Sequence, residues 1–267
     1  MSPRASLSHD DDAMTVILPQ LQGVVLVYLL TFARAGAMIM LMPVIGDAGV
    51  PARVRLAFAL AVSAALVSFT TQFYPTQTPP PIELATLVAR EVTSGVVVGT
   101  MARLIMSALE TAGFLIATQT GLAFAQTFDP SQGTQGAMVS TFLSLIGALL
   151  VFETGLHHLA IGAIAGSYTL IPPNQVFPTA DVAELTLSLV AGAFALGLQL
   201  AAPFLVFGLL IYVILGVLSR LMPQLQIFFL AMPINILAGF VLLMLFLGVM
   251  MSAFLDFFAA QMRLFGG

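Results

Sequence analysis

The C-terminal third of the chain is an apolar run too long for one simple membrane crossing. Residues 182–258 contain only three charged side chains, Glu184, Arg220 and Asp256. A polar segment at 219–226 predicts a turn between two helices of roughly 38 residues, each about 57 Å long by the helical rise. A bilayer core is only ~30 Å thick. We therefore expect these helices to tilt, to break, or to extend beyond the lipid into a protein assembly.

The composition excludes a water-soluble domain. The 267 residues are 60% hydrophobic and 7% charged, whereas a soluble domain carries about 25% charged residues. A chain this apolar cannot cover its surface in water, so we expect an integral membrane protein. The scattered arginines do not form the basic patch that nucleic acid requires. The absence of cysteine excludes disulfides, thiolate nucleophiles and cysteine metal sites.

The order of apolar and polar segments predicts an all-α fold with six to eight helical segments, broken by proline and glycine. Consecutive prolines cannot continue a helix, so the proline-rich segments 74–81 and 171–178 are predicted connections. Pro203 and Pro233 lie inside the final hairpin and predict kinks in its helices. The predicted helices occupy residues 15–42, 52–71, 84–112, 134–152, 156–170 and the two arms of the hairpin.

The chain termini are predicted to carry little structure. Residues 1–13 are polar, and we expect them to form a disordered extension. They do not read as a signal peptide, because the acidic run 10–12 occupies the place of a basic region, and Met14 is an alternative start. Residues 263–267 are expected to form a short tail.

Charged residues inside apolar helices are the first candidates for function, because an unpaired charge is costly in lipid. Arg34 has no acidic neighbour in sequence, so it either holds a partner subunit's carboxylate or a carbonyl, or it snorkels to an interface. We favour the buried partner. Arg90, Glu91, Arg103 and Glu110 lie on one predicted helix and form either a polar subunit contact or a water-exposed face.

No catalytic motif is evident. Glu153 and His157 have a spacing that can place two ligands on one metal, and His158 is adjacent. A third ligand and a general base are missing, and the order is reversed from the metalloprotease motif, so a polar cluster at a helix end is the better interpretation. We expect neither an enzyme nor a cofactor.

Four stretches of the sequence resemble FliR, the flagellar type III export-gate membrane protein, and its virulence-secretion counterparts. They span about residues 30–235, and the second and fourth favour the flagellar branch. The stretches are 34–43 continuing to 51–56, then 111–130, then 155–157, and finally 218–228 followed by Pro233. The chain departs from the resemblance at Glu110 and Asn235, where basic residues are common.

The resemblance implies a subunit that joins FliP and FliQ homologues in a closed helical pore in the bacterial inner membrane, within the flagellar basal body. Other implied partners are an FlhB homologue, unfolded flagellar export substrates in transit and the lipid bilayer. Residues 14–170 correspond to a FliP-like part and residues 180–262 to a FliQ-like hairpin, joined by a connection at 171–179.

The resemblance also implies that a central loop, 113–129, plugs the pore. Glycines, amides and aromatic rings in this stretch suit a segment that bends and closes. The predicted plug residues are Gly113, Phe114, Gln119, Gly121, Leu122, Phe124, Gln126 and Phe128. The predicted subunit-interface or structural residues are Arg34, Pro43, Arg53, Arg55, Asp129, Pro130, Pro203, Arg220, Pro223, Gln224, Gln226 and Pro233.

Two other functions remain open from the residues alone. A stand-alone transporter or channel for small solutes would need a site near the bilayer midplane, for which Arg34 and the kinked hairpin give some support. An intramembrane hydrolase using Glu153 and His157 is a remote third alternative.

Overall fold

The computed structural model describes residues 7–47, 49–75, 79–122, 137–175, 177–221 and 227–266, and most side chains from residue 22 onward. These residues form seven α-helices and one short 3-10 helix, and they contain no strand. The helices are α1 (Leu7–Leu41), α2 (Ala52–Thr70), the 3-10 helix (Thr71–Phe73), α3 (Pro81–Gln119), α4 (Ala137–Glu153), α5 (His157–Leu170), α6 (Thr179–Leu221) and α7 (Ile227–Gly266).

The predicted all-α membrane fold is confirmed. Within the described residues, α1, α2, α3, α6 and α7 are each long and apolar enough to cross a membrane. A sixth span results if α4 and α5 together form one broken crossing. Helix α2 follows Pro51, and α3 begins at Pro81, the last residue of the predicted connection 74–81; a missing N–H leaves no bond unmade in the first turn of a helix.

The two helices of the final hairpin are slightly longer than the sequence predicted. Helix α6 has 43 residues and α7 has 40, which makes them about 64 Å and 60 Å long by the helical rise. A Cβ atom at Gly192, early in α6, would lie 3.3 Å from the ring of Phe257, late in α7. The two helices are therefore antiparallel. Both continue through their internal prolines, Pro203 and Pro233, each of which removes one backbone hydrogen bond.

Three predicted boundaries are wrong because helices extend further than the sequence pattern indicated. Helix α1 begins at Leu7, so residues 7–13 are helical, and α7 continues to Gly266 through the predicted tail. Helix α3 ends only at Gln119, so the first seven residues of the predicted loop 113–129 are helical. Each residue added to an existing helix gains a backbone hydrogen bond without a new nucleation cost.

Internal contacts divide the chain into two compact units. Unit 1 comprises residues 1–103, 160–182 and 263–267, and unit 2 comprises residues 104–159 and 183–262. In unit 1, Leu30, Tyr74 and Tyr168 are buried together with Leu26 and Val27. The predicted division into FliP-like and FliQ-like parts concerns resemblance rather than contacts, and it stays a prediction.

The interior of unit 2 brings α3, α4 and α7 together. A Cβ atom at Gly147 of α4 would meet Leu109 of α3 and lie 3.2 Å from the ring of Phe254 on α7. Leu109 and Phe254 are both fully buried. Small residues allow helix axes to approach closely in membrane proteins, where van der Waals packing replaces the hydrophobic drive to associate.

Candidate functional sites

Arg34 is buried in unit 1, and each of its N–H groups has an acceptor. Nε donates to Oε2 of Glu91 at 2.6 Å, and Nη2 donates to Oε1 of Glu91 at 3.2 Å. Nη1 donates to the Ser167 carbonyl at 3.0 Å and reaches the Ser167 hydroxyl at 3.5 Å. Nη2 also donates to the Ile171 carbonyl at 2.9 Å. The guanidinium lies over the Tyr168 ring, 4.0 Å from its centroid.

This pair has the geometry that makes a buried charge tolerable. The Arg34 and Glu91 side chains are 1% and 0% exposed. Two ions removed from water are stable together only when their attraction is supplemented by hydrogen bonds to the remaining donors and acceptors. The snorkelling alternative for Arg34 is wrong, because the guanidinium is enclosed and its acceptors belong to this chain rather than to another subunit.

The two carbonyl acceptors lie at the C-terminal end of α5. The Ser167 carbonyl also accepts the Ile171 amide at 2.9 Å, and carbonyls at the C-terminal end of a helix carry a partial negative charge that favours a cation. Arg34 on α1 therefore caps α5 and at the same time joins it to Glu91 on α3. One side chain fixes three helices that are far apart in sequence.

Arg90 adds a second contact of the same kind. It donates to the carbonyls of Pro173, at 3.5 Å, and of Gln175. The proline-rich connection lacks regular structure, since its prolines have no N–H groups to donate. Arginines from two helices hold it in place instead. Glu91 is fully buried and pairs within the chain, so it forms neither a subunit contact nor a water-exposed face, whereas for the half-buried Arg90 these alternatives stay predictions. Arg103 and Glu110, by contrast, are exposed.

Two phenol groups lie beside the Arg34 pair. The ring of Tyr74 meets the ring of Tyr168 edge-on, with centroids 6.4 Å apart. Neither hydroxyl has a hydrogen-bond partner among the described residues, although both are buried. Burial raises the pKa of the Tyr74 phenol above its ordinary value.

The described part of the predicted plug begins inside α3, in unit 2. Gly113 is buried, and a Cβ atom there would lie 2.5 Å from the backbone nitrogen of Ser140 on α4. Gly113 is therefore a close-packing position, and its assignment to the plug stays a prediction. Phe114 is 58% exposed and points away from the rest of its unit. The Ser140 hydroxyl donates to the Glu110 carbonyl at 2.9 Å, which further ties α4 to α3.

The chain changes direction immediately after α3. Gln119 is the last helical residue, and its carbonyl accepts a hydrogen bond from Asn235 at 3.2 Å. Gly121 has φ +78°, a conformation that side chains disfavour, and Leu122 is half-buried. Five predicted residues lie outside the described residues, namely Phe124, Gln126, Phe128, Asp129 and Pro130.

The remaining predicted structural residues differ in how they are placed. Pro43 follows the end of α1. Arg55, on α2, donates to the carbonyl of Gly46, in the turn between α1 and α2, at 3.0 Å. Arg53 and Arg220 are exposed. Pro203 and Pro233 lie within α6 and α7 as described above. Pro223, Gln224 and Gln226 lie outside the described residues.

His157 and His158 form a polar cluster at the start of α5, next to the turn that follows α4. His157 packs between the rings of Phe152 and His158, at centroid distances of 4.9 Å and 4.1 Å. Nδ1 of His158 lies 3.0 Å from the Gly155 carbonyl, in the turn between α4 and α5. Among the described residues, no three histidine, cysteine or acidic side chains come together as a metal site would require.

Comparison with known proteins decides the family. Residues 25–261 match the family described as bacterial export proteins, family 1. The flagellar biosynthetic protein FliR of Caulobacter vibrioides is 43% identical over 239 residues, which cover 88% of this chain and 94% of that protein. The chain belongs to the FliR family.

More distant FliR proteins match over nearly the same extent. FliR of Aquifex aeolicus is 30% identical, covering 86% of this chain and 90% of that protein. FliR of Bacillus subtilis is 28% identical, covering 83% and 86%. The resemblance to FliR predicted from sequence motifs is confirmed.

Sequence reasoning missed two contacts within this FliR chain. The Arg34–Glu91 pair joins residues 57 positions apart, and its only signal was that both charges interrupt apolar helices. The bond from Asn235 to Gln119 crosses 116 positions. In the sequence, Asn235 stands out only because basic residues are common in that region of the family.

Proposed function

We propose that this chain is a non-enzymatic export-gate subunit of the flagellar type III secretion apparatus. With FliP and FliQ homologues it would form a gated pore in the bacterial inner membrane, at the flagellar basal body. Unfolded flagellar proteins would pass through this pore, and an FlhB homologue would contact the assembly. FliR family membership supports the flagellar export role, and the form of the hairpin supports the assembly.

The observation that carries the proposal is the length of apolar surface left open on α6 and α7. Large exposed hydrophobic side chains extend from Leu187 to Leu221 on α6 and from Ile234 to Leu264 on α7. These stretches cover about 50 Å and 45 Å of helix, whereas lipid covers only ~30 Å. Apolar surface beyond the lipid needs protein to cover it, as neighbouring subunits would.

The contacts of Arg34 argue against the transporter alternative. Arg34 was the best candidate for binding a solute near the midplane, but its donors are all occupied by Glu91 and by two helix-end carbonyls. A solute would have to displace contacts that hold three helices together. No other observation among the described residues favours a solute site over a subunit role.

Within this proposal, residues 113–128 close the resting pore. Because Gly113 packs against α4, we assign the movable part of the plug to the residues that follow α3. Gly121, two residues beyond the end of α3, has a positive φ that helical geometry does not allow.

Co-expression tests the proposal directly. An affinity tag on this chain should recover FliP and FliQ homologues at fixed ratios, and the chain expressed alone should aggregate or be degraded. The expected complex should be visible by electron microscopy as a ring or helix of helices. A stable monomer in detergent that recovers neither homologue would refute the assembly and would revive the transporter alternative.

A further inference from the structure

The last turn of α3 lies against two glycines of the hairpin, all within unit 2. A Cβ atom at Gly208 of α6 would overlap Oε1 of Gln119 and lie 3.0 Å from its Cδ. A Cβ atom at Gly239 of α7 would overlap Cγ2 of Thr120 and lie 2.7 Å from its Cβ. Both glycines are buried in the structure. The end of α3 therefore occupies two neighbouring notches that exist because two side chains are absent.

Asn235 adds a directional bond to this packing. It lies four residues before Gly239 and thus on the same face of α7. Its Nδ2 donates to the Gln119 carbonyl at 3.2 Å, one of the helix-end carbonyls that have no intrahelical donor. A Cβ atom at Gly121 would lie 3.5 Å from the same Nδ2. The chain therefore leaves α3 directly beside the Asn235 amide.

Asn235 stabilises the end of α3 through its donor group, Nδ2. Its Oδ1 is buried and has no hydrogen-bond partner among the described residues. An unpartnered buried acceptor is unfavourable, so the asparagine is not a simple gain in packing. The Nδ2 bond to the α3 end is the interaction that offsets this cost.

We propose that Asn235 is a positioning residue that, with the notches at Gly208 and Gly239, fixes the α3 terminus, Gln119–Leu122, against the hairpin. The inference rests on the proposed function, because the α3 terminus sets where the chain departs towards the residues assigned to closure. One neutral hydrogen bond has a modest net value, which suits a contact that must form and break between two states. A movement of the hairpin that separates Asn235 from Gln119 releases the α3 terminus.

Backbone hydrogen exchange measures this positioning without reference to transport. The Thr120 amide donates to the Ile116 carbonyl at 3.0 Å, and the Gly121 amide donates to the Thr118 carbonyl at 3.4 Å. In the purified complex, N235D keeps the side-chain shape but loses the donor, and N235L removes both polar atoms. We expect each variant to speed exchange at these two amides by about two- to tenfold, the effect of one net hydrogen bond.

The chain supplies matched controls. Its other asparagine, Asn174, is exposed in the proline-rich connection, so N174D makes the same chemical change at a distant position. G239A should loosen the α3 terminus as N235D does, because a Cβ atom there would meet both Cγ2 and Cβ of the short Thr120 side chain. G216A on α6 and G248A on α7 should not, because a Cβ atom at Gly216 or Gly248 meets nothing within 4 Å.

Ion conductance of the reconstituted resting complex is the second readout. Faster exchange together with a raised resting conductance in N235D, N235L and G239A supports both the positioning role and the closure. Faster exchange with unchanged conductance supports the positioning contact and overturns the assignment of closure to this region. Unchanged exchange in all three variants overturns the inference itself. If the chain recovers no partners, the same exchange measurement on the full chain in detergent still decides the contact.

Discussion

Nε of Arg34 on α1 donates to Oε2 of Glu91 on α3 at 2.6 Å, and neither side chain is open to solvent. Two charges that interrupt separate apolar helices thus neutralise each other inside the fold. The remaining donors of the guanidinium reach the end of α5. The Arg34–Glu91 pair therefore connects three helices of unit 1, and its contribution to the free energy of unfolding can be measured directly.

Removing one member of the pair should destabilise the protein strongly. Glu91→Ala leaves the Arg34 charge buried without its counter-ion, and we expect the free energy of unfolding to fall by about 3–5 kcal/mol. Chemical unfolding of the purified complex measures it. Glu83→Ala changes an exposed carboxylate in the first turn of the same helix and should cost less than about 1 kcal/mol.

The double variant separates pairing from simple loss of side chains. R34M/E91M replaces both charges with apolar groups of similar volume, so it should be more stable than either single substitution. Additive losses in the double variant would mean that the two residues do not act as a pair.

Tyr168 should contribute through its ring and not through its hydroxyl. The phenol oxygen has no partner among the described residues, whereas the ring faces the Arg34 guanidinium. We expect Tyr168→Phe to leave stability nearly unchanged and Tyr168→Leu to lower it by about 2 kcal/mol through loss of the cation–π contact. Thermal unfolding of both variants in one detergent makes the comparison. Equal losses would indicate that the hydroxyl matters.

Gly113 should tolerate no side chain. Gly113→Ala forces α3 away from Ser140 on α4, and overpacking of this kind costs about 1–3 kcal/mol. Gly162→Ala is the control, because a Cβ atom there meets nothing within 4 Å. The measurement is unfolding together with the yield of assembled complex. A fully stable G113A complex with altered conductance would instead support a role for Gly113 in the plug.

Shortening the segment after α3 should make the resting pore leak. We expect deletion within residues 123–128 to raise the ion conductance of the reconstituted complex while subunit ratios stay unchanged, because α3 and its packing against α4 are left intact. A deletion that starts at Gly113 should instead impair assembly. Wild-type conductance in an assembled deletion complex would contradict the closure assignment.

Much of the architecture is readable from local sequence pattern. The apolar runs determine helices, their lengths exceed the bilayer, and the proline-rich segments mark where helices must stop. These are properties of neighbouring residues, so no knowledge of tertiary contacts is needed. The motifs around Arg34, Gly121 and Arg220 were also sufficient to indicate the FliR family. The boundaries failed where helices extended into polar or glycine-containing sequence, as at Leu7 and Gln119.

By itself the sequence determined that this protein is an all-α membrane protein, that it resembles the FliR family, and that its final helical hairpin is longer than a bilayer is thick. Only the tertiary structure decided that Arg34 meets Glu91, that Gly113 serves packing, and that Asn235 meets the end of α3. The physical reason is that helix formation depends on residues a few positions apart. The partner of a buried polar group, by contrast, depends on how whole helices are placed beside one another.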